Sequence, residues 1–206
     1  MIAPIYHPPH RPLVGRGDRR GAPLLGARGA AGGAVVSLRV LTVWQPWATL
    51  LVRGIKGPEN RGWEPRGLKV GDTYAIHAGS MVDLDSWESA ADMADDAGVR
   101  VPELAAWREA WMQAQPDRAV KALAASLLPL SAIVGTVVLD EVRRAPRGAD
   151  PWFCGPVGWY HCDPVEFAEP VSCKGAQGLW TAPEAVRTAA AREYIRAKRA
   201  AKGGAA

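Results

Sequence analysis

The stretch that decides the fold is LTVWQPWATLLVRGIKGPENRGW, residues 41–63. A β-branched strand segment comes first, a proline then opens about two turns of helix, and Gly54 suits the left-handed position that caps a helix. Lys56, Glu59 and Arg61 follow within six residues of one another, close to three tryptophans. Because a buried charge must be paired or costs several kcal/mol, this combination indicates a ligand site more than an element of the core.

Length and composition predict one folded domain with tails. Of the 206 residues, 48% are hydrophobic and nine are tryptophan, which is enough for a sizeable core. No run approaches the ~18 consecutive apolar residues of a membrane span, so we expect a soluble protein with no membrane partner. We expect a monomer.

The charge distribution limits how a polyanion would be held. Residues 1–37 carry five arginines and one aspartate, and residues 187–202 carry six basic residues and one glutamate. The remaining 38–186 contain 14 basic and 19 acidic residues, so an acidic centre lies between basic ends. A nucleic acid would need a local patch or those ends, because the domain lacks a general positive field.

Cysteine usage indicates a reducing compartment. Cys154, Cys162 and Cys173 form no Cys-x-x-Cys pair that would anchor zinc, even with His161 as a fourth ligand. Packed thiols in the cytoplasm are the better interpretation. We therefore expect neither a metal nor a cofactor.

Periodicity and composition divide the chain into three parts. Residues 1–37 are rich in Gly, Pro and Arg and have no period of 2 or 3.6, so we expect a disordered segment. Residues 38–182 form the predicted domain, with a helical insertion at about 82–128. Over residues 183–206 we expect a basic C-terminal helix and tail.

Short strands separated by helices predict an α+β fold around a small barrel. The strand patterns lie at 38–43, 73–77, 132–139, 158–161 and 165–168. These strand patterns are short and do not repeat one another.

The insertion contains three helix starts. Asp83 or Asp85 can cap the first helix, Pro102 can open the second, and Pro116-Asp117 can begin the third. On the second helix Trp107 and Trp111 stand four residues apart on one face, which favours a core stripe over a stacking platform.

Several motifs follow one another in a familiar order. Gly54-Ile-Lys56-Gly-Pro-Glu59-Asn-Arg61 fits Gly-x-Lys-x-x-Glu-x-Arg and follows Gln45-Pro46-Trp47. Ile76-His-Ala-Gly79, Gly158-Trp159 and the glycine-rich Pro170–Trp180 come later. Over residues 38–182, without the insertion, these motifs resemble ASCH domains of a bacterial and phage type. The resemblance implies a PUA-like small mixed β-barrel with peripheral helices and a helical insertion.

The resemblance also implies a cleft that receives single-stranded RNA or a nucleotide-like small molecule, such as a modified nucleoside. The residue types suit this ligand, because tryptophans can stack on a base while Lys56 and Arg61 can bind a phosphate or a base carbonyl. The predicted ligand-binding residues are Trp44, Gln45, Pro46, Trp47, Lys56, Glu59, Arg61, His77, Ala78, Gly79, Trp159, Lys174 and Gly175.

Other interpretations stay open. The Lys56, Glu59 and Arg61 side chains can form a structural salt-bridge network instead of binding a ligand. A hydrolase would use Lys56 and Glu59 as its catalytic pair. Amidohydrolases similar to this fold use a Lys, a Thr and a Glu, but Glu59 stands where they have the Thr. A ribonuclease is the other catalytic alternative, and a protein-interaction adaptor using the acidic insertion is a third class.

Overall fold

The fold is seen in a computed structural model that describes residues 37–113 and 116–203. The predicted disordered segment lies outside these residues except for its last position. The elements in chain order are β1 (Arg39–Gln45), α1 (Trp47–Val52), β2 (Pro58–Arg61), β3 (Thr73–Val82), α2 (Leu84–Asp96), α3 (Pro102–Met112), α4 (Asp117–Leu127), β4 (Ala132–Arg143), β5 (Val157–Ser172), β6 (Leu179–Thr181) and α5 (Glu184–Gly203).

One mixed sheet organises the domain. Its six strands lie in the order β2-β5-β4-β3-β1-β6. β1 and β3 are parallel, since α1 and β2 cross between them in the chain, and the other pairs are antiparallel. The α+β class is confirmed. Closure into a barrel is not confirmed, because within the described residues β2 and β6 are edge strands that do not pair with each other.

One face of the sheet packs against α1. Side chains alternate between the two faces of a strand, so Leu41, Val43, Ile76 and Ala78 point to the same side. They form a buried core with α1 residues such as Leu51. Gly54 ends this helical segment with a φ of +69°, and a side chain there would stand 2.9 Å from the ring of Pro164. That is the left-handed cap the sequence predicts.

The other face is shared between α5 and an open region. Val40, Ala75 and Ile133 on this face pack with Ala190 of α5. Thr42 and His77, each two residues further along β1 and β3, belong to the same face by alternation. This part of the face carries Thr42, which is partly exposed, and His77, which is buried.

The insertion forms a separate apolar cluster of α2, α3 and α4. Asp83 caps α2 by accepting a hydrogen bond from the backbone N–H of Ser86 at 3.3 Å. Trp107 is buried against Trp87 and stacks on Trp111 at 5.5 Å between ring centroids, so the tryptophan stripe is core. Leu50 of α1 belongs to this cluster as well.

The predicted strands differ from the observed ones in two respects. The patterns at 158–161 and 165–168 belong to one strand, β5, which stays paired with β4 through several register shifts. β2 and β6 are strands that the sequence did not indicate, because each is short and is defined by its neighbour in the sheet.

None of the described helices combines the length and apolar character of a membrane span.

Candidate ligand-binding site

A cavity of about 780 Å³ lies on the open part of the sheet, at the carboxyl ends of β1 and β3. Residues 174–178, here called the glycine loop, form its remaining wall. The lining residues are Thr42, Trp44, Arg61, Trp63, His77, Gly79, Ser80, Met81, Ser131, Lys174, Gly175, Ala176, Gln177 and Gly178. Parallel strands ending at the same edge bring the sequence-distant residues together.

Two tryptophans give the cavity exposed aromatic surfaces. Trp44 is 45% exposed and Trp63 is 37% exposed, which is unusual for such large apolar side chains. Gly79 lets the Trp44 ring lie close to β3, since a Cβ there would stand 2.9 Å from Trp44 Cδ1. Trp159 supports Trp63 from below, donating from Nε1 to the Trp63 carbonyl at 3.0 Å with the two ring planes at 85°.

The charge lining the cavity is positive. Arg61 and Lys174 are its charged residues, and no carboxylate lines it among the described residues. Arg61 Nη2 donates to the Thr42 carbonyl at 2.9 Å, which orients the guanidinium. Arg61 Nε is buried without a hydrogen-bond partner in residues 37–113 and 116–203.

A buried ion-pair network lies behind Arg61. Glu59 Oε1 is 3.0 Å from Arg61 Nη2, and Glu59 Oε2 accepts from Lys56 Nζ at 3.2 Å. Lys56 also donates to the Pro58 carbonyl and lies 5.6 Å from the ring centroid of Trp47. Both Lys56 and Glu59 are almost fully buried. The three charges sum to one positive charge, which is presented to the cavity by Arg61.

A smaller cavity of about 240 Å³ adjoins the first and shares Thr42, Trp44 and Arg61 with it. Trp47 and Glu59 line this annex. The salt-bridge network of Lys56, Glu59 and Arg61, which the sequence left open as an alternative to ligand binding, is present. Arg61 belongs both to this network and to the lining of the larger cavity.

His77 has a buried ring nitrogen that is a hydrogen-bond acceptor. Its Nε2 is 3.1 Å from the Cys173 carbonyl, and because a carbonyl can only accept, Nε2 carries the hydrogen. Nδ1 then holds a lone pair, and within the described residues it is buried without a partner. Burial lowers the pKa of His77 from its usual value, which favours the neutral form of the ring.

The glycine loop lies against His77. A Cβ on Gly175 would stand 2.5 Å from His77 Cε1, 2.7 Å from Nδ1 and 3.0 Å from Thr42 Oγ1. Thr42 donates to the Ala176 carbonyl at 2.8 Å and accepts from Trp180 Nε1 at 3.1 Å. A residue without a side chain is therefore required at position 175 for the loop to close over the histidine.

The predicted residues divide into two sets. Those brought to the larger cavity are Trp44, Arg61, His77, Gly79, Lys174 and Gly175, while Trp47 and Glu59 reach the annex. Residues that line neither cavity are Gln45, Pro46, Lys56, Ala78 and Trp159.

This second set supports the fold around the cavities. Gln45 is fully buried and binds Thr49 Oγ1 and the Pro129 carbonyl, each at 2.9 Å. Pro46 precedes α1 after a cis peptide bond, and Ala78 lies in the core. Trp159 has no exposed surface on which a base could stack.

Several lining residues were not predicted. Thr42 stands two positions before Trp44 on β1, so strand alternation was the signal that would have found it. Trp63 closes the charged stretch but was not assigned to the site. Ser80 and Met81 lie on the part of β3 beyond the predicted strand end. Nothing in the sequence pattern marks Ser131, which adopts a φ of 51°.

Metal binding receives no support from the side chains that the structure describes, which bring no three His, Cys, Asp or Glu residues into a group that could hold an ion. Cys154 and Cys173 are free thiols. The site is therefore defined by aromatic surfaces, two cations and unpaired hydrogen-bonding groups.

These features define a class of α+β domain with an aromatic, cationic cavity at the edge of a mixed sheet. No protein-family model and no curated protein matches the chain. Similar solved structures include ASCH from Zymomonas mobilis, with 11% identity, a TM-score of 0.41, and coverage of 73% of this chain and 90% of that one.

A serine-to-alanine mutant of ZmASCH from the same organism matches at 12% identity and a TM-score of 0.41, covering 73% of this chain and 91% of that one. Both are proteins of the family that the sequence motifs resemble. At these values the likeness carries no argument about function, which has to come from the residues of the cavity.

Proposed function

We propose that the cavity binds a nucleotide-like ligand, either a modified nucleoside or nucleotide or a segment of single-stranded RNA. The observation that carries this proposal is the lining: two exposed indole rings and two cations, with no carboxylate among the described lining residues. An aromatic base and an anionic phosphate are the two chemical groups that this combination accommodates in one molecule.

Each part of the ligand has a partner of suitable chemistry. Trp44 and Trp63 offer stacking surfaces, and stacking contributes about 1–3 kcal/mol per base in single-stranded binders. Arg61 and Lys174 can bind phosphate oxygens through charge-assisted hydrogen bonds. The resemblance to ASCH domains implies the same ligand class.

Binding suits the geometry better than hydrolysis. Both carboxylate oxygens of Glu59 already face cations, Lys56 on one side and Arg61 on the other. A general base needs a free lone pair within reach of the proton it removes. Glu59 is therefore placed as the counter-ion that holds Arg61 in position.

Isothermal titration with the four ribonucleosides and their 5′-monophosphates tests the proposal. We expect a preference for the phosphorylated form of a bound nucleoside. Lys174→Ala should reduce this preference, because it removes a phosphate contact, and leave the nucleoside affinity unchanged. Trp44→Ala should weaken both forms by a common factor of roughly 5 to 150, the equivalent of one stacking contact.

Lys121→Ala is the matched control, because Lys121 is an exposed lysine on α4 that lines neither cavity. It should leave all affinities unchanged. If no nucleoside or nucleotide binds, or if Lys121→Ala has the same effect as Lys174→Ala, the proposed ligand class is wrong.

A further inference from the structure

α5 presents an arginine-rich face to solvent. Val186, Ala190, Tyr194 and Ala197 pack toward the sheet. Arg192, Ile195, Arg196 and Arg199 line an open groove of about 440 Å³ on the helix surface. Their spacing of three, four and seven residues places them on one face, where a buried helix would carry apolar residues.

Two of these arginines have uncommitted charges. Within the described residues, Arg192 and Arg199 are exposed and form neither an ion pair nor a side-chain hydrogen bond. Arg196 differs, because its Nη1 lies 2.7 Å from Glu169 Oε1 and 3.6 Å from Glu193 Oε1. The face therefore carries excess positive charge from Arg192 and Arg199, while the charge of Arg196 is paired with Glu169.

α5 and the cavity lie on the same side of the sheet. Trp180 packs against the α5 cluster, and its ring centroid lies 5.8 Å from that of His77 in the cavity. Glu169, which anchors Arg196, precedes the cavity residue Lys174 by five residues on the same chain segment. At about 3.3 Å per residue, at most ~17 Å of chain separates them.

We infer that the face formed by Arg192, Arg196 and Arg199 binds the phosphate backbone of single-stranded RNA whose terminal nucleotide occupies the cavity. The inference rests on the proposed function and adds that the ligand is a polymer. Charge complementarity supports it, since among the residues described Arg192 and Arg199 carry unpaired positive charge and Glu169, the partner of Arg196, lies five residues before Lys174. Residues 38–186 contain 14 basic and 19 acidic residues, so the domain outside this face carries no net positive charge.

Binding of 5′-labelled RNA of two and of twelve nucleotides tests this by fluorescence anisotropy at several salt concentrations. The dinucleotide fills the cavity only, and the twelve-mer also reaches α5. Each phosphate contact in a single strand contributes ~0.7 to the slope of log K against log salt, which at 0.1 M salt is roughly fivefold in affinity. We expect the twelve-mer to bind more tightly than the dinucleotide.

The double variant Arg192→Ala/Arg199→Ala should weaken twelve-mer binding roughly 25-fold at 0.1 M salt and reduce the slope by about 1.4. Dinucleotide binding should stay unchanged. Arg118→Ala/Lys121→Ala removes the same charge from exposed positions on α4 and should have no effect.

Glu169→Gln should do the opposite, because it releases Arg196 for a phosphate. Twelve-mer affinity should rise roughly fivefold, with a slope steeper by about 0.7. Loss of folding cannot mimic this gain.

The remaining outcomes separate the two proposals. A twelve-mer that binds no more tightly than the dinucleotide overturns the α5 inference and leaves the cavity proposal standing, as does insensitivity of the twelve-mer to the α5 variants. Absence of binding by both RNAs overturns both. Phosphatidylserine vesicles bound through Arg192 and Arg199, with RNA binding unaffected, would assign the face to a membrane surface instead.

Discussion

Replacing Glu59 with glutamine removes one negative charge from the centre of the buried network while keeping the size of the side chain. Lys56 and Glu59 are both almost fully buried, and Arg61 is about one-quarter exposed. The variant leaves two cations facing each other across a neutral amide. Lys56 keeps the Pro58 carbonyl and Arg61 keeps the Thr42 carbonyl as acceptors.

The expected loss of stability follows from these contacts. Removing one member of a buried ion pair costs about 3–5 kcal/mol, because the remaining charge stays buried without its partner. The two retained carbonyl contacts and the partial exposure of Arg61 place the estimate near ~3 kcal/mol. This is a large part of the ~5–15 kcal/mol that stabilises a typical domain.

Urea denaturation measures the change in the free energy of unfolding, with an unchanged m-value as the sign that the same surface is exposed. Adding Lys56→Met should restore part of the loss, since it removes the uncompensated ammonium group. Glu169→Gln makes the same chemical change at an exposed pair and should leave the free energy of unfolding nearly unchanged. A loss below ~1 kcal/mol for Glu59→Gln, the value typical of surface pairs, would refute the account of a buried network.

Two further changes probe the site and its surroundings. Gly175→Ala should abolish nucleotide binding and lower the melting temperature, because the new Cβ collides with the His77 ring. Gly62→Ala is the control and should be tolerated, because a Cβ at position 62 has nothing within 4 Å. Equal binding by both variants would contradict the loop geometry. Burial lowers the pKa of His161 to about 3, below its unfolded value of ~6.5. The neutral buried imidazole therefore contributes fully to the stability of the fold above pH 6.5, and this contribution is lost as the pH falls toward 3. Urea titrations of His161→Gln between pH 6.5 and 4 should show a smaller loss of stability than the parent, by about 1 kcal/mol per pH unit, and parallel curves would rule out this role for the histidine.

Local signals in the sequence predicted the helices of this fold well. Asp83, Pro102 and Gly54 act through their immediate neighbours, as a side-chain cap, a fixed φ and a left-handed backbone, and the structure has each in the predicted place. The strands were harder. β6 is three residues long and exists because β1 offers it an edge, which no local pattern reveals.

The same limit explains the site. The resemblance of the motifs assigned Trp44, His77 and Gly79 to one cleft, and these do line the cavity. Whether a tryptophan lines the cavity or is buried beneath it depends on contacts across the sheet. Trp159 is buried because Trp63 and Tyr74 pack on its ring, and these partners are 96 and 85 residues away in the chain.

The position of α1 has a consequence for how the molecule melts. Five of its six residues are buried, because Leu51 faces the sheet core and Leu50 faces the helices of the insertion. So short a helix is unstable alone and depends on both neighbours. The insertion and the sheet should therefore unfold in one cooperative transition, and a chain shortened by removal of residues 84–127 would expose Leu50 and aggregate.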